Sequence, residues 1–248
     1  ISAWVHENEI TLGELAMEEK SNEITAIPKL LDLIDVRGDV VSIDAMGCQR
    51  DIAAKILEKK ANYVLALKEN QPALYDDVRK YFEWLAAENP RTETYQCWHG
   101  ETEKDHGRIE ARAVTIATSL DWLEGREKWG GLRTIIQYRC TREENGVKSV
   151  SHRYYISSFD GDAQEFAQLL RNHWSIENRL HWKLDVIFHE DGAKARKDRS
   201  PLNMNVLRKI AMAKLKMADS NKRIGTRKKM LKAALNPEYL AKALFCQS

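Results

Sequence analysis

The stretch from Gly38 to Leu67 constrains this chain more than any other. Val40-Val41-Ser42-Ile43-Asp44-Ala45-Met46 follows a Gly38-Asp39 turn and is short, β-branched and nearly all apolar, which suits a buried strand. From Asp51 to Lys60 the apolar residues Ile52, Ile56 and Leu57 recur at helical spacing, and Tyr63-Val64-Leu65-Ala66-Leu67 makes a second buried strand. Strand, helix, strand in that order requires a parallel crossover, and hence a mixed α/β sheet with covered faces. Ligand sites in such sheets gather at the C-terminal ends of strands. Those ends carry Asp44 on one strand and Lys68 on the next, which makes the two near neighbours.

The rest of the chain is read around that sheet. Ile1 to His6 and Ile10 to Met17 form a hairpin whose turn is Glu7-Asn8-Glu9. Ser21-Asn22 resembles a helix start, followed by Ile24, Ile27, Leu30, Leu31 and Ile34, with Pro28 tolerated in the first turns. Pro72 to Ala87 reads as a helix. The pattern from about Thr92 to Phe159 turns to short β-like runs, with Asn145-Gly146 as a hairpin turn between Gln137-Cys140 and His152-Tyr155. From Asp162 the helical period returns through Phe166, Leu169, Leu170, Trp174, Ile176 and Leu180, and two or three further helices follow Pro201. Three regions result: 1–91 as the first part of the core, 92–160 as a β-rich insertion, and 161–248 as a completing helix with basic C-terminal helices.

Composition excludes some classes of function. With 248 residues and 43% hydrophobic content the chain can bury a sizeable core. No apolar run is long enough to span a membrane and the N-terminus has no secretory pattern, so a cytoplasmic address is expected. Cys48, Cys97, Cys140 and Cys246 lie far apart with no C-x-x-C spacing, against a zinc site or a disulfide framework. The net charge of +2 hides a stretch from Lys194 to Lys232 rich in Lys and Arg. That asymmetry points toward a polyanion, although a solvated helix face has the same look.

Two places could carry chemistry. A carboxylate at the end of a buried strand is costly unless paired, hydrogen-bonded or metal-bound, which singles out Asp44; its ordinary alternative is a cap for the next segment. In His173-Trp174-Ser175-Ile176-Glu177-Asn178-Arg179-Leu180-His181-Trp182, the residues Trp174, Glu177, Asn178 and His181 share one helical face. The mixture suits a metal beside a phosphate chain: a carboxylate for the cation, an indole for stacking, imidazole and amide for phosphate oxygens. An amphipathic helix with a solvated stripe is the alternative.

Five ordered segments carry a resemblance: Glu19-Lys20-Ser21-Asn22-Glu23-Ile24, Ile43-Asp44-Ala45-Met46-Gly47-Cys48-Gln49, Leu67-Lys68-Glu69-Asn70-Gln71, His106-Gly107-Arg108-Ile109-Glu110, and His173 through Asp191. In these the chain resembles the DDE-type insertion-sequence transposases, in particular the group of H-repeat-associated proteins of enteric bacteria. The resemblance implies an RNase H-like mixed sheet flanked by helices, in which two aspartates and a late-helix glutamate bind two divalent ions. Asp44 matches the second aspartate and Glu177 the glutamate. Two hard cations about 4 Å apart stabilise the attacking and leaving oxygens of an in-line phosphodiester displacement. Mg²⁺ is the expected ion, with Mn²⁺ as a substitute.

The resemblance further implies DNA as partner, both element ends and target, and a homodimer on DNA. Lys68, Asn70 and Gln71 beside Asp44 are then candidate contacts to the DNA backbone, as are His106, Arg108, Arg112, His173, Trp174, Asn178 and His181; a strand-to-helix turn and a solvated hairpin are the plain alternatives for Lys68 to Gln71 and for His106 to Arg112. Asp185, Glu190 and Asp191 are a candidate accessory ligand set, or partners of Lys194, Arg196 or Arg199. In this family the first aspartate lies on a strand upstream of the segment resembling Ile1-Ser2-Ala3-Trp4. No acidic residue here takes that position, Glu7 and Glu9 being placed in a hairpin turn at the far edge of the sheet. The first strand is therefore expected to be missing and the chain alone to be a weak or dead catalyst; the competing expectation is a non-catalytic DNA-binding remnant.

Overall fold

A computed structural model describes residues 1–15, 23–88, 95–105, 107–195, 197–218 and 224–245. Lys20, the helix start at Ser21-Asn22, His106, Arg196 and Cys246 lie outside the described residues. The chain forms two compact units, Met17–His173 and Ile1–Ala16 with Trp174–Ser248.

The Met17–His173 unit is built on a seven-stranded mixed sheet. Strand β3 (Val40–Ile43) runs parallel to β4 (Asn62–Leu67), and α2 (Arg50–Glu58) lies between them in sequence. All later pairings are antiparallel: β4 with β9 (Val147–Ser157), β9 with β8 (Thr134–Glu144), β8 with β7 (Arg108–Ala117), and β7 with both β5 (Tyr95–His99) and β6 (Glu103–Asp105). The order is thus β3-β4-β9-β8-β7-β5. The β-rich stretch therefore continues the same sheet that carries Asp44: β9 pairs directly with β4, Ala66 opposite Tyr155.

Burial follows the sequence pattern. Tyr63, Val64, Leu65, Ala66 and Leu67 are all buried, as a strand covered on both faces requires. Helix α4 (Ala163–Ile176) lays Phe166, Ala167 and Leu170 against Val64, Ala66, Val114, Ile136 and Tyr155 on one face. Helix α3 (Pro72–Glu88) buries Leu74, Val78, Phe82 and Leu85, and Phe82 stacks on Tyr154, whose side chain alternates to the other face. The Asn145-Gly146 turn has φ of 52° and 78°, the paired positive values of a two-residue hairpin turn.

Two expectations are corrected. Strand β3 is half-buried rather than buried, because among the described residues it pairs on one side only, with β4. Pro28 lies inside α1 (Glu23–Leu33), past the first turn, where it removes a hydrogen bond to the carbonyl of Ile24. The burial of Ala26, Ile27, Leu30 and Leu31 offsets that loss.

In the other unit, β1 (Ser2–Val5) and β2 (Ile10–Glu14) form their own two-stranded antiparallel sheet, so the hairpin is no edge of the larger one. Its turn residue Glu9, at φ 52°, pairs with Arg179 at 3.2 Å, Lys216 at 3.5 Å and Lys183 at 3.6 Å. After Ile176 the helical run continues through two π-helical turns, Glu177–His181 and Lys183–Ile187. Leu180 and Leu184 of these turns pack with Trp4 and with Met212 of α5 (Ser200–Ala218). Helices α6 (Thr226–Leu235) and α7 (Pro237–Phe245) complete a second small core through Ala233 and Tyr239 on Leu215.

Candidate functional site

Asp44 is the first residue beyond β3 and precedes a single 3₁₀ turn, Ala45–Gly47. Its backbone is extended and its side chain makes no capping bond to that turn, so the capping alternative does not describe it. The side chain is 74% exposed, and Oδ1 lies 3.2 Å from Nε2 of His173. An ionised carboxylate only accepts, so Nε2 carries the hydrogen. The second ring nitrogen, Nδ1, is 3.0 Å from Ser42 Oγ. Ser42 and Asp44 are two positions apart, on one side of the strand direction, so a single imidazole bridges both. This contact first, then the nearby charges of Lys68 and Arg153, holds the Asp44 carboxyl below the usual carboxylate range despite some desolvation.

The turn after Asp44 is braced from behind. A Cβ on Gly47 meets Ile43 Cγ2 at 2.4 Å and Ile27 Cδ1 at 3.0 Å, so the turn packs too closely for any side chain there. Asn70 Nδ2 donates to Ala45 O at 2.6 Å and Gln71 Nε2 donates to Cys48 O at 2.9 Å. Both amides, expected at a DNA backbone, are thus engaged in fixing the Asp44 loop. Lys68 is exposed at the end of β4, close enough to act on Asp44 electrostatically. Cys48 is fully buried, which pushes its thiol up to about 12 and makes it inert at neutral pH.

His173 is largely buried, with 15% of its side chain exposed, whereas Trp174, Glu177, Asn178 and His181 are exposed along the following turns. Asp44 and His173 belong to the Met17–His173 unit and the other four to its companion. The π-helical turn begins at Glu177. Such turns are uncommon and frequent at functional sites. Glu190 pairs with Arg208 at 3.6 Å and accepts from Asn205, in place of the expected Lys194 or Arg199, while Arg196 lies outside the described residues. Among the described residues no three His, Cys, Asp or Glu side chains stand together as a metal cage.

Arg108 lies on β7, where its Nε is 2.9 Å from the buried Glu110. Sequence reasoning missed Ser42, Glu110 and Arg153. Ser42 was within reach, since period-two alternation puts it on the side of Asp44; Arg153 depends on the β8–β9 register and on β4 joining β9, which no local pattern reveals.

Comparison with known proteins gives the family of the chain. A family model described as "Transposase DDE domain" matches residues 7–213. The chain is 38% identical over 248 residues to "Putative transposase YncI" of Escherichia coli O157:H7, covering 98% of this chain and 62% of that protein. It is likewise 38% identical over 249 residues to "H repeat-associated putative transposase YhhI" of Escherichia coli K12, covering 98% and 65%. A shorter match, 43% identical over 162 residues, is an uncharacterised protein of Xanthobacter autotrophicus, covering 65% of this chain and 53% of that protein. The chain therefore spans less than two thirds of the length of these relatives. No solved structure matches.

Proposed function

The chain belongs to the transposase DDE domain family, and from that premise we propose that it serves Mg²⁺-dependent cleavage and transfer of DNA strands, with Asp44 and Glu177 as two of the family's acidic residues on an RNase H-like core. The observation that carries this reading is the state of Asp44: exposed, free of any capping role, and ordered by the His173–Ser42 pair. Mg²⁺ keeps several waters and takes one or two carboxylates together with substrate phosphates, so Asp44 fits as one ligand of such an ion without a preformed protein cage. When bound, the ion supplies charge stabilisation to the attacking and leaving oxygens of the displaced phosphodiester.

The chain's own residues have separable roles in this reading. Asp44 presents a carboxylate oxygen while His173 fixes its rotamer. Asn70 and Gln71 hold the turn against the strand. Lys68 offers a cation to a phosphate oxygen, and Trp174, Asn178 and His181, exposed next to Glu177 in sequence, offer stacking and hydrogen-bonding groups to the nucleotide chain. Strand transfer joins two element ends to one target, so a pair of chains on DNA belongs to the same proposal.

The decisive measurement is Mn²⁺ binding by electron paramagnetic resonance, alongside DNA binding by anisotropy, for the unmodified chain, Asp44→Asn and Glu177→Gln. Each substitution is expected to weaken Mn²⁺ binding roughly tenfold or more and to leave DNA affinity within about twofold. Unaltered Mn²⁺ binding in both variants sinks the assignment. DNA binding by a chain that takes up no Mn²⁺ indicates a binding protein without chemistry.

A further inference from the structure

Four arginines and two glutamates form one network on the exposed half of the β6–β9 region. Arg108 Nε and Arg142 Nε each lie 2.9 Å from Glu110 Oε1, and Arg112 donates to Glu110 Oε2. Arg112 also donates to Glu103 at 2.7 Å, and Glu103 reaches Arg171 of α4 at 2.7 Å. Glu110 is buried, its side chain 8% exposed, while those of Arg108 and Arg142 are 42% and 48% exposed. A buried carboxylate is costly unless it is compensated. This one gathers three guanidinium groups. Each guanidinium has five N–H donors in a planar fork, and the bonds to these glutamates occupy one nitrogen of Arg108, one of Arg142 and two of Arg112. The arrangement presents Arg108 and Arg142 at the surface as preoriented cations with donor capacity remaining, while Arg112, 21% exposed, has both terminal nitrogens on glutamates.

The network also lies on a particular face. Arg108, Glu110 and Arg112 alternate to the same side of β7, and the register sets Glu110 opposite Arg142 and Arg112 opposite Cys140. That side continues into Val114 and Ile136, on which α4 packs, and through Tyr138 to its partner Arg153. Lys68, two residues beyond Ala66 of the same packed cluster, continues it to Asp44. Arg139 and Lys148 alternate to the opposite face.

We propose that Arg108 and Arg142, held together with Arg112 by Glu110, clamp backbone phosphates of the DNA whose strand is processed at Asp44. The inference rests on the DNA-processing reading above and adds a place and a geometry to it. Arginine forks match phosphate oxygens in a bidentate way, which a flexible lysine does not. Glu110 is a positioning residue in this clamp: it aims both forks and does not itself touch DNA.

The test uses the full chain and a fluorescein-labelled random-sequence DNA duplex, with affinity followed by anisotropy through a KCl series. Arg108→Gln with Arg142→Gln is expected to weaken binding roughly tenfold at physiological salt, and to lower the slope of log K against log salt by about 0.9 for every phosphate no longer neutralised by the protein. Arg139→Gln, the same charge change on the opposite face, leaves both quantities near those of the unmodified chain. Glu110→Gln removes a negative charge, so simple attraction tightens binding, whereas the clamp predicts weaker binding with circular dichroism unchanged. Should the Arg108/Arg142 pair and Arg139→Gln weaken binding equally per charge, the clamp is overturned while DNA binding stands. Failure of the unmodified chain to bind DNA overturns both.

Discussion

Asp44, His173 and Ser42 make a small machine in which one imidazole decides where a carboxylate points. Removing the ring by His173→Ala frees Asp44 Oδ1 from its donor, and Mn²⁺ binding is expected to weaken roughly tenfold, the usual cost of losing a group that orients a metal ligand. Ser42→Ala removes only the anchor of the ring and is expected to have a smaller effect in the same direction. Mn²⁺ titrations of both variants that match the unmodified chain would show that the ring has no such role. Cys48 gives a second expectation at this scale. Burial raises its thiol to about 12, so at pH 8 almost no thiolate is present. A thiol reagent should label the exposed Cys97 in the native chain and reach Cys48 only on unfolding. Asp44 was legible in the sequence because an acid closing an apolar strand is unusual. Its imidazole partner lies 129 residues away, and the sequence suggested phosphate as the target of that ring.

Elements were legible where local pattern and tertiary packing agree. The run Tyr63–Leu67 is apolar without interruption because both faces of β4 are covered, and Asn145-Gly146 forms its turn because both positions need positive φ. The outer half of β8–β9 is different: Arg139 to Arg153 is polar and mostly exposed, and backbone pairing with β7 and the Glu110 network hold it. Such a segment opens locally with little coupling to the core. Gly146→Ala sets a Cβ in the left-handed region at a cost of about 1 kcal/mol. Amide hydrogen exchange of the outer strands should then quicken roughly fivefold while β4 is unaffected. Equal protection in variant and parent would contradict the turn's part in holding the hairpin.

At the scale of the whole chain, the unit containing both the N-terminal hairpin and the late helices depends on charge as well as on apolar packing. Partial burial pushes Glu9 upward, but Lys183, Lys216 and Arg179 outweigh it and hold its carboxyl below the usual range. A carboxyl depressed in the folded state contributes stability that is complete above its unfolded value, near about 4.3, and is lost as pH falls through the folded value. Chemical denaturation between neutral and acidic pH should show a loss of stability below about pH 4.3 that is smaller in Glu9→Gln. An identical acid profile for the two would remove Glu9 from the account. Neither this network nor the single sheet joining β3 to β5 was legible beforehand, since both depend on partners distant in sequence.

Gly47 has no space for even a methyl group, because Ile43 and Ile27 already fill the position. The wall behind the acidic residue is therefore part of the hydrophobic interior, with no cushion between them. A side chain at residue 47, or a larger one at residue 27, is expected to displace the peptide next to Asp44. Substitutions at either position are therefore expected to shift the Asp44 loop as well as to cost stability.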